Sequence, residues 1–189
     1  MRCATIEGAD ARSHDITGEP EMPYTLEAFA ADCKSTLVAE PGLEGREKIR
    51  GLLERVLADE QFLSTNFGTA DDSDRNVLYR DPDLGFCIVA HTYTESIAAS
   101  PHHHGPAWAI YGQAEGTTEM TDWRLTRAPE DGAAGKVAAE RTYSLQPGDA
   151  HVYNEGDIHS PQWEGLTRLV RVEGQDMTTV QRDPLEPEG

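Results

Sequence analysis

The sequence predicts a mainly β protein, an antiparallel sandwich or barrel, that carries an α-helical segment on its N-terminal side. Apolar residues recur at helical spacing between residues 25 and 62. After residue 74 the chain changes to short segments rich in β-branched and aromatic residues, separated by turns that contain Gly, Pro or Asp. A chain of 189 residues is long enough for one domain with a full core and too short for two ordinary domains.

Two amphipathic helices are predicted in the N-terminal segment. The first runs from Thr25 to Ala39 and ends at Pro41-Gly42, where the helix cannot continue. The second runs from Leu43 to Phe62, with an apolar stripe opposite its charged side chains. We expect both helices, within residues 25–68, to pack on a barrel formed by residues 69–180.

The two ends of the chain are predicted to lie outside this compact unit. Residues 1–24 are rich in Gly, Pro and acidic residues, which is typical of an extended acidic arm. Residues 181–189 have a similar composition and predict a flexible tail. Residues 25–180 are therefore expected to form one compact domain.

The charge and hydropathy of the chain exclude several partners. A formal net charge of -18 argues against binding nucleic acid or an anionic membrane through a broad basic surface. No apolar run approaches the roughly 18 residues that a membrane span requires, and no signal-peptide pattern opens the chain. We therefore expect a cytoplasmic protein.

The three cysteines point to the same compartment. Cys3, Cys33 and Cys87 are widely spaced, odd in number and without a Cys-x-x-Cys pattern. This usage predicts free thiols in a reducing environment, neither a disulfide framework nor a thiolate-ligated zinc site.

A run of three histidines begins the predicted functional motif. Alternate side chains of a strand face the same side, so His102 and His104 can point at one spot while His103 points away. Pro147-Gly148-Asp149 follows later in the chain and precedes two further histidines, His151 and His159. Because a turn separates these two, strand alternation does not decide which of them completes the site.

Three imidazoles at one point predict a metal site. Neutral imidazoles bind iron, nickel, copper or zinc, and three of them leave coordination positions open for reactants. Since all three ligands are uncharged, a divalent ion keeps its full charge of about +2 at the site. That charge favours a small anionic substrate, such as a thiolate, an enolate or a carboxylate.

These motifs resemble those of the cupin superfamily, whose fold is a double-stranded β-helix, also called a jelly-roll barrel. His102-x-His104 followed by a strand to Gly116 is similar to the first cupin motif, and Pro147-Gly148-Asp149 with His159 to the second. The resemblance therefore favours His159 over His151. Many cupins add a glutamate ligand after the second histidine, but Trp108 and Ala109 stand there, so a site of three histidines is implied.

Within that superfamily the chain looks like the cysteine dioxygenase branch, the thiol dioxygenases. The missing glutamate, the helical N-terminal segment and the pair Arg75-Asn76 ahead of the histidine motif carry this resemblance. It implies Fe(II) as cofactor, dioxygen as partner, and oxidation of a small carboxylated thiol to a sulfinate. It also implies an arginine that binds the substrate carboxylate, with Arg75 the first candidate and Arg80 the second. Pairing of Arg75 with the acidic residues 71–74 is the alternative.

The chain departs from this branch in two places. Ala109 stands near the cysteine that the animal enzymes cross-link to a tyrosine, so no cross-link is expected. The late Ser-x-His-x-Tyr triad of the branch would fall at residues 169–173, which read Leu-Val-Arg-Val-Glu. Glu173 and Tyr111 are the candidates to replace its acid–base function.

Two other functions fit the same motifs. A three-histidine cupin can cleave a carbon–carbon bond of a diketone or hydroxy-ketone with iron and dioxygen, because an enolate is also an anionic metal ligand. The histidines can also hold a structural ion in a cupin that binds metal or a small ligand without catalysis. Cupins often pair through sheet edges, which leaves a homodimer open.

Overall fold

A computed structural model of the protein describes residues 24–67, 74–130 and 132–188. Three helices come first: α1 (Leu26–Ala39), α2 (Leu43–Leu57) and α3 (Glu60–Phe67). The predicted single helix over residues 43–62 is therefore wrong in its bounds. Asp59 interrupts it, because its carboxylate accepts the backbone N–H groups of Gln61 and Phe62, at 2.9 and 3.0 Å, and so caps the start of α3.

Ten strands follow among the described residues and form two five-stranded sheets. The first sheet has the order β1-β2-β9-β4-β7 and the second β10-β6-β5-β8-β3. The strands are β1 (Asn76–Arg80), β2 (Cys87–Tyr93), β3 (Ile97–Ala98), β4 (Ala109–Glu115), β5 (Thr118–Arg127), β6 (Gly135–Leu145), β7 (Ala150–Tyr153), β8 (Ile158–Trp163), β9 (Thr167–Glu173) and β10 (Leu185–Pro187). This topology confirms the predicted fold class, a mainly β double-stranded β-helix with an N-terminal helical segment.

The first sheet separates two hydrophobic cores because its side chains alternate between faces. On the outer face, Ile110 and Val172 pack against helix residues such as Leu53. On the inner face, Tyr111 and Leu169 pack toward the second sheet, in the lumen of the barrel. The helices thus cover one side of the barrel and leave its lumen free for polar groups.

The C-terminal end of the chain differs from the predicted flexible tail. Leu185 to Pro187 pair in parallel with β6, opposite Gly135 to Val137, and the Leu185 side chain is buried. A strand of three residues with one buried apolar side chain gives no periodic signal, so the sequence pattern did not show it. The predicted N-terminal arm, apart from Tyr24, lies outside the described residues.

Two further expectations can be compared with the described residues. Cys33 and Cys87 are buried free thiols, as predicted, while Cys3 lies in the part that is not described. None of the described helices is both long and apolar enough to cross a membrane.

Close packing of α2 on β4 gives a test of this architecture. A Cβ atom at Gly112 would lie 2.8 Å from Leu53 Cδ2 and 3.0 Å from Leu57 Cδ1, inside the buried contact. We therefore predict that Gly112→Ala lowers the free energy of unfolding by about 1–3 kcal/mol through overpacking. Gly51→Ala is the matched control, because its Cβ meets nothing within 4 Å, and it should raise stability by about 0.5–1 kcal/mol. Urea denaturation measures both; a neutral Gly112→Ala would contradict the packing described.

Candidate metal centre

Two backbone hydrogen bonds bring the histidines of the motif together. The N–H of His102 donates to the carbonyl of His159 at 3.0 Å, and the N–H of His159 donates back at 2.9 Å. This bridge joins the segment ahead of β4 to strand β8 of the second sheet. Candidate ligand nitrogens of His102, His104 and His159 all lie within 4.8 Å of one another.

Neighbouring carbonyls fix the orientation of two of the rings. Nδ1 of His102 contacts the Ser100 carbonyl at 2.9 Å, and Nδ1 of His159 contacts the Asp157 carbonyl at 3.3 Å. A carbonyl only accepts, so in each neutral ring Nδ1 carries the hydrogen and Nε2 keeps a free lone pair. A hydrogen bond from the ring nitrogen that does not bind the metal is the usual support of a metal-ligating histidine.

Two of the ring nitrogens are buried without a hydrogen-bond partner among the described residues. They are Nε2 of His159 and Nδ1 of His104. The Tyr111 hydroxyl lies 3.2 Å from the other nitrogen of His104, Nε2, and can accept its hydrogen, which leaves the Nδ1 lone pair free. Buried polar atoms without partners are costly, and a metal ion would supply the partner. The residues therefore fit a divalent metal.

The three imidazoles are held in their neutral, metal-binding form. Burial lowers the pKa of His102 to about 4, with smaller effects from the charges of Arg182 and Arg171. Burial is also the main cause that lowers the pKa of His104 and His159, and neighbouring histidines and the same arginines add to it. At neutral pH no proton has to leave these groups before they bind a metal.

Arg171 is a buried residue of the barrel lumen that the sequence analysis did not single out. It lies directly opposite Tyr111 in the β4–β9 register, and its guanidinium carbon is 4.1 Å from the centre of the Tyr111 ring. The residue is 8% exposed, and its Nε has no hydrogen-bond partner among the described residues. A signal did exist: an arginine between Val170 and Val172 in an apolar strand must face the opposite side from both valines.

Glu173 ends the same row of inward-facing side chains. It is fully buried, accepts a hydrogen bond from Arg75 Nη2 at 2.8 Å and lies 3.3 Å from Arg171 Nη2. Burial alone would raise its pKa, but His91 and the two arginines hold the pKa at about 2. These contacts suit a counter-ion, whereas an acid–base group has to exchange a proton near neutral pH. The acid–base role of Tyr111 or Glu173 stays a prediction.

The two arginines predicted to bind substrate are paired with carboxylates of the chain itself. Arg75 donates hydrogen bonds to Glu173 and, at 2.9 Å, to Asp176. Arg80 donates a hydrogen bond to Asp176 at 2.7 Å. Of the residues 71–74 proposed as alternative partners of Arg75, only the last is described. The guanidinium groups whose charges act on the three imidazoles are those of Arg171 and Arg182.

His151, the alternative third histidine, lies outside this cluster, opposite Tyr111 in the β4–β7 register. Its ring centre is 5.2 Å from that of Tyr143 and 4.8 Å from that of Tyr153. The structure thus brings His159, not His151, to the His102-x-His104 motif.

Comparison with known proteins adds little to this geometry. No family model and no curated protein matches the chain. Among solved structures, a cupin superfamily protein from Desulfitobacterium hafniense is 12% identical, with a TM-score of 0.41, over 60% of this chain and 88% of its own. The DMSP lyase DddQ from Ruegeria pomeroyi is 16% identical, with a TM-score of 0.42, over 61% of this chain and 52% of its own. Similarity at this level does not indicate which reaction the protein catalyses.

The metal-binding assignment gives a direct prediction. His159→Ala should lower the affinity for a divalent metal at least tenfold, because a site of three donors loses one of them. Loss of a group that merely supports a metal ligand already costs about 10–100-fold in affinity. His151→Ala is the matched control and should keep the wild-type metal content. Metal analysis after equilibrium dialysis measures both. Equal metal content in the His159→Ala and wild-type proteins would remove His159 from the site.

Proposed function

We propose that this protein is an iron(II)-dependent dioxygenase that oxidises a small carboxylated thiol to a sulfinate. The observation that carries the proposal is that three neutral imidazoles share a buried lumen with the guanidinium group of Arg171. In the overall reaction both atoms of dioxygen are transferred to sulfur. Sulfur supplies all four electrons that dioxygen takes up, so no further reductant is required.

His102, His104 and His159 are the residues that would hold the iron. When bound, Fe(II) supplies open positions at which a thiolate and dioxygen meet, and the redox chemistry that joins them. Uncharged ligands leave the ion its full positive charge, which favours a thiolate over a neutral thiol. Burial of His104 and His159 keeps bulk water away from these positions.

Arg171 supports a substrate that carries a carboxylate. Its planar guanidinium group matches a carboxylate in a bidentate geometry, and its Nε is free among the described residues to donate. The local charge supports the same conclusion. The chain as a whole carries a net charge of -18, yet the charged arginines that act on the pKa values of the imidazoles are positive ones, Arg171 and Arg182. In this proposal Arg171 takes the substrate-binding role that the sequence suggested for Arg75.

Tyr111 is the proposed link between the substrate-binding and metal-binding groups. Its ring lies under the Arg171 guanidinium group, and its hydroxyl reaches His104. Burial raises the pKa of this hydroxyl, so it stays protonated at neutral pH and, while it accepts the hydrogen of His104 Nε2, can donate its own hydrogen to a bound reactant. We propose that it orients the His104 ring and holds a proton at the edge of the reaction space.

Dioxygen consumption tests the reaction class. Protein loaded with iron(II) without oxygen is mixed with cysteine, 3-mercaptopropionate or mercaptosuccinate, or with β-diketones. Uptake with a thiol, together with incorporation of both labelled oxygen atoms into a sulfinate, is the expected result. Uptake with β-diketones alone would instead favour carbon–carbon bond cleavage. Bound iron without uptake on any compound would favour a binding protein.

Replacing Arg171 tests how the substrate is selected. Arg171→Met should raise the KM for 3-mercaptopropionate by about 10–100-fold, the usual effect of one charge-assisted pair, and should change that for ethanethiol much less. Arg171→Lys keeps the charge and the ion pair with Glu173, and should lose part of the same discrimination because a bidentate fork is absent. Steady-state kinetics with both thiols measure the ratio.

The matched control is Arg124→Met, which removes an exposed arginine paired with Glu140 on the outer part of β5 and β6. It should leave both Michaelis constants unchanged. Equal preference for the carboxylated thiol in the Arg171 variants and the wild type would contradict the assignment of Arg171.

A further inference from the structure

Residues 176–187, called the C-terminal strap below, are fixed to the barrel at their first residues. The Asp176 carboxylate accepts hydrogen bonds from Arg75 at 2.9 Å and from Arg80 at 2.7 Å. The N–H of Met177 donates to Glu173 at 3.2 Å, and the Met177 side chain is buried in the inner core. The two arginines that the sequence nominated as substrate ligands therefore hold the beginning of this strap.

The far end of the strap is fixed as well. Strand β10 pairs with β6, and the N–H of Gly135 donates to the carbonyl of Pro184 at 2.9 Å. A Cβ atom at Gly135 would lie 2.8 Å from Leu185 Cδ2, so the Leu185 side chain packs directly on Gly135. A segment anchored at both ends has a defined course between them.

Between its anchors the strap crosses the loop that carries the histidines. Gly105, directly after His104, has a positive φ of 60°. A Cβ atom there would lie 3.1 Å from Val180 Cγ1 and 3.3 Å from the Gln181 carbonyl oxygen. Val180 also packs against the inner core. The strap therefore rests on the histidine loop immediately before Arg182.

Arg182 is exposed and directly follows Gln181, whose carbonyl oxygen contacts the histidine loop at Gly105, so Arg182 lies beside that loop. Arg171 is partly neutralised by Glu173, whereas Arg182 has no ion pair within the described ranges 24–67, 74–130 and 132–188. One arginine thus lies in the lumen, and a second lies on the strap beside the histidine loop.

We propose that the C-terminal strap supplies Arg182 as a second anion-binding group, so that the three-histidine site selects small dianions over monoanions. One carboxylate is bound by Arg171 in the lumen and the other by Arg182 at the mouth. The inference rests on the proposed anionic substrate of this site and narrows it to dicarboxylates. Because the net charge of -18 repels a dianion in general, the preference has to come from these local cations.

Succinate and butyrate test the inference without any oxidation, because they share a four-carbon chain and differ in one carboxylate. Their dissociation constants are measured by calorimetry on the full chain loaded with zinc, a divalent ion without redox chemistry. We expect succinate to bind about tenfold more tightly than butyrate, the size of one charge-assisted pair. In Arg182→Gln the preference should fall to about twofold or less, with butyrate binding and zinc content unchanged.

Three further variants separate the effect of charge from that of position. Arg182→Lys retains the charge and should keep a preference of several-fold, whereas Arg124→Gln, the matched control on β5, should keep it whole. Asp176→Ala removes a negative charge, so simple electrostatics predicts tighter succinate binding. Release of the strap predicts the opposite, a weaker preference for succinate, because Arg182 is no longer held in place.

The proposal is overturned if the wild type binds both acids equally, if Arg182→Gln keeps the wild-type preference, or if Asp176→Ala binds succinate more tightly. A preference for succinate in a protein that oxidises no thiol would sustain this inference and refute the proposed reaction. Oxidation of thiols without any preference between mono- and dicarboxylates would refute this inference and support the proposed reaction.

Discussion

The pair of backbone hydrogen bonds between His102 and His159 is the contact on which the rest of the site depends. His102 lies ahead of β4, outside the regular strands, while His159 belongs to the second sheet. Their bridge sets both imidazoles and His104 within 4.8 Å of one another. Since backbone groups make this contact, side-chain changes around the site can alter which substrate it takes while leaving the arrangement of the three nitrogens intact.

The helical segment contributes to the same arrangement from outside the barrel. Arg46 of α2 is nearly buried and donates to both Asn154, at 2.9 Å, and Glu155, at 2.5 Å, in the turn between β7 and β8. That turn also contains Asp157, whose carbonyl orients the His159 ring. A buried arginine that loses such partners is costly, so helix and turn are expected to keep a fixed relative position. The helices thus stabilise the strand that carries the third histidine.

Local patterns in the sequence were sufficient for an antiparallel sandwich or barrel and for the pairing of His102 with His104, because strand alternation and turn residues are short-range signals. The jelly-roll topology and the choice of His159 over His151 came from the resemblance to a known family. Two features fell outside these patterns. Asp59 lies within the predicted second helix, but its side chain caps the start of the next one, and residues 185–187 gain strand structure only because β6 offers a free edge. The sequence pattern gives Arg171 no role by itself, because the residue opposite it, Tyr111, is known only from the pairing of β4 with β9.

The central claim is that three uncharged imidazoles bind one metal ion in the lumen and leave positions open for reactants. X-ray absorption spectroscopy of the protein loaded with one equivalent of iron(II), without oxygen, tests it most directly. The account predicts a signal from three imidazole ligands in the wild type and from fewer in His159→Ala. An iron environment that lacks imidazole, or one that is identical in the wild type and the His159→Ala variant, would contradict it.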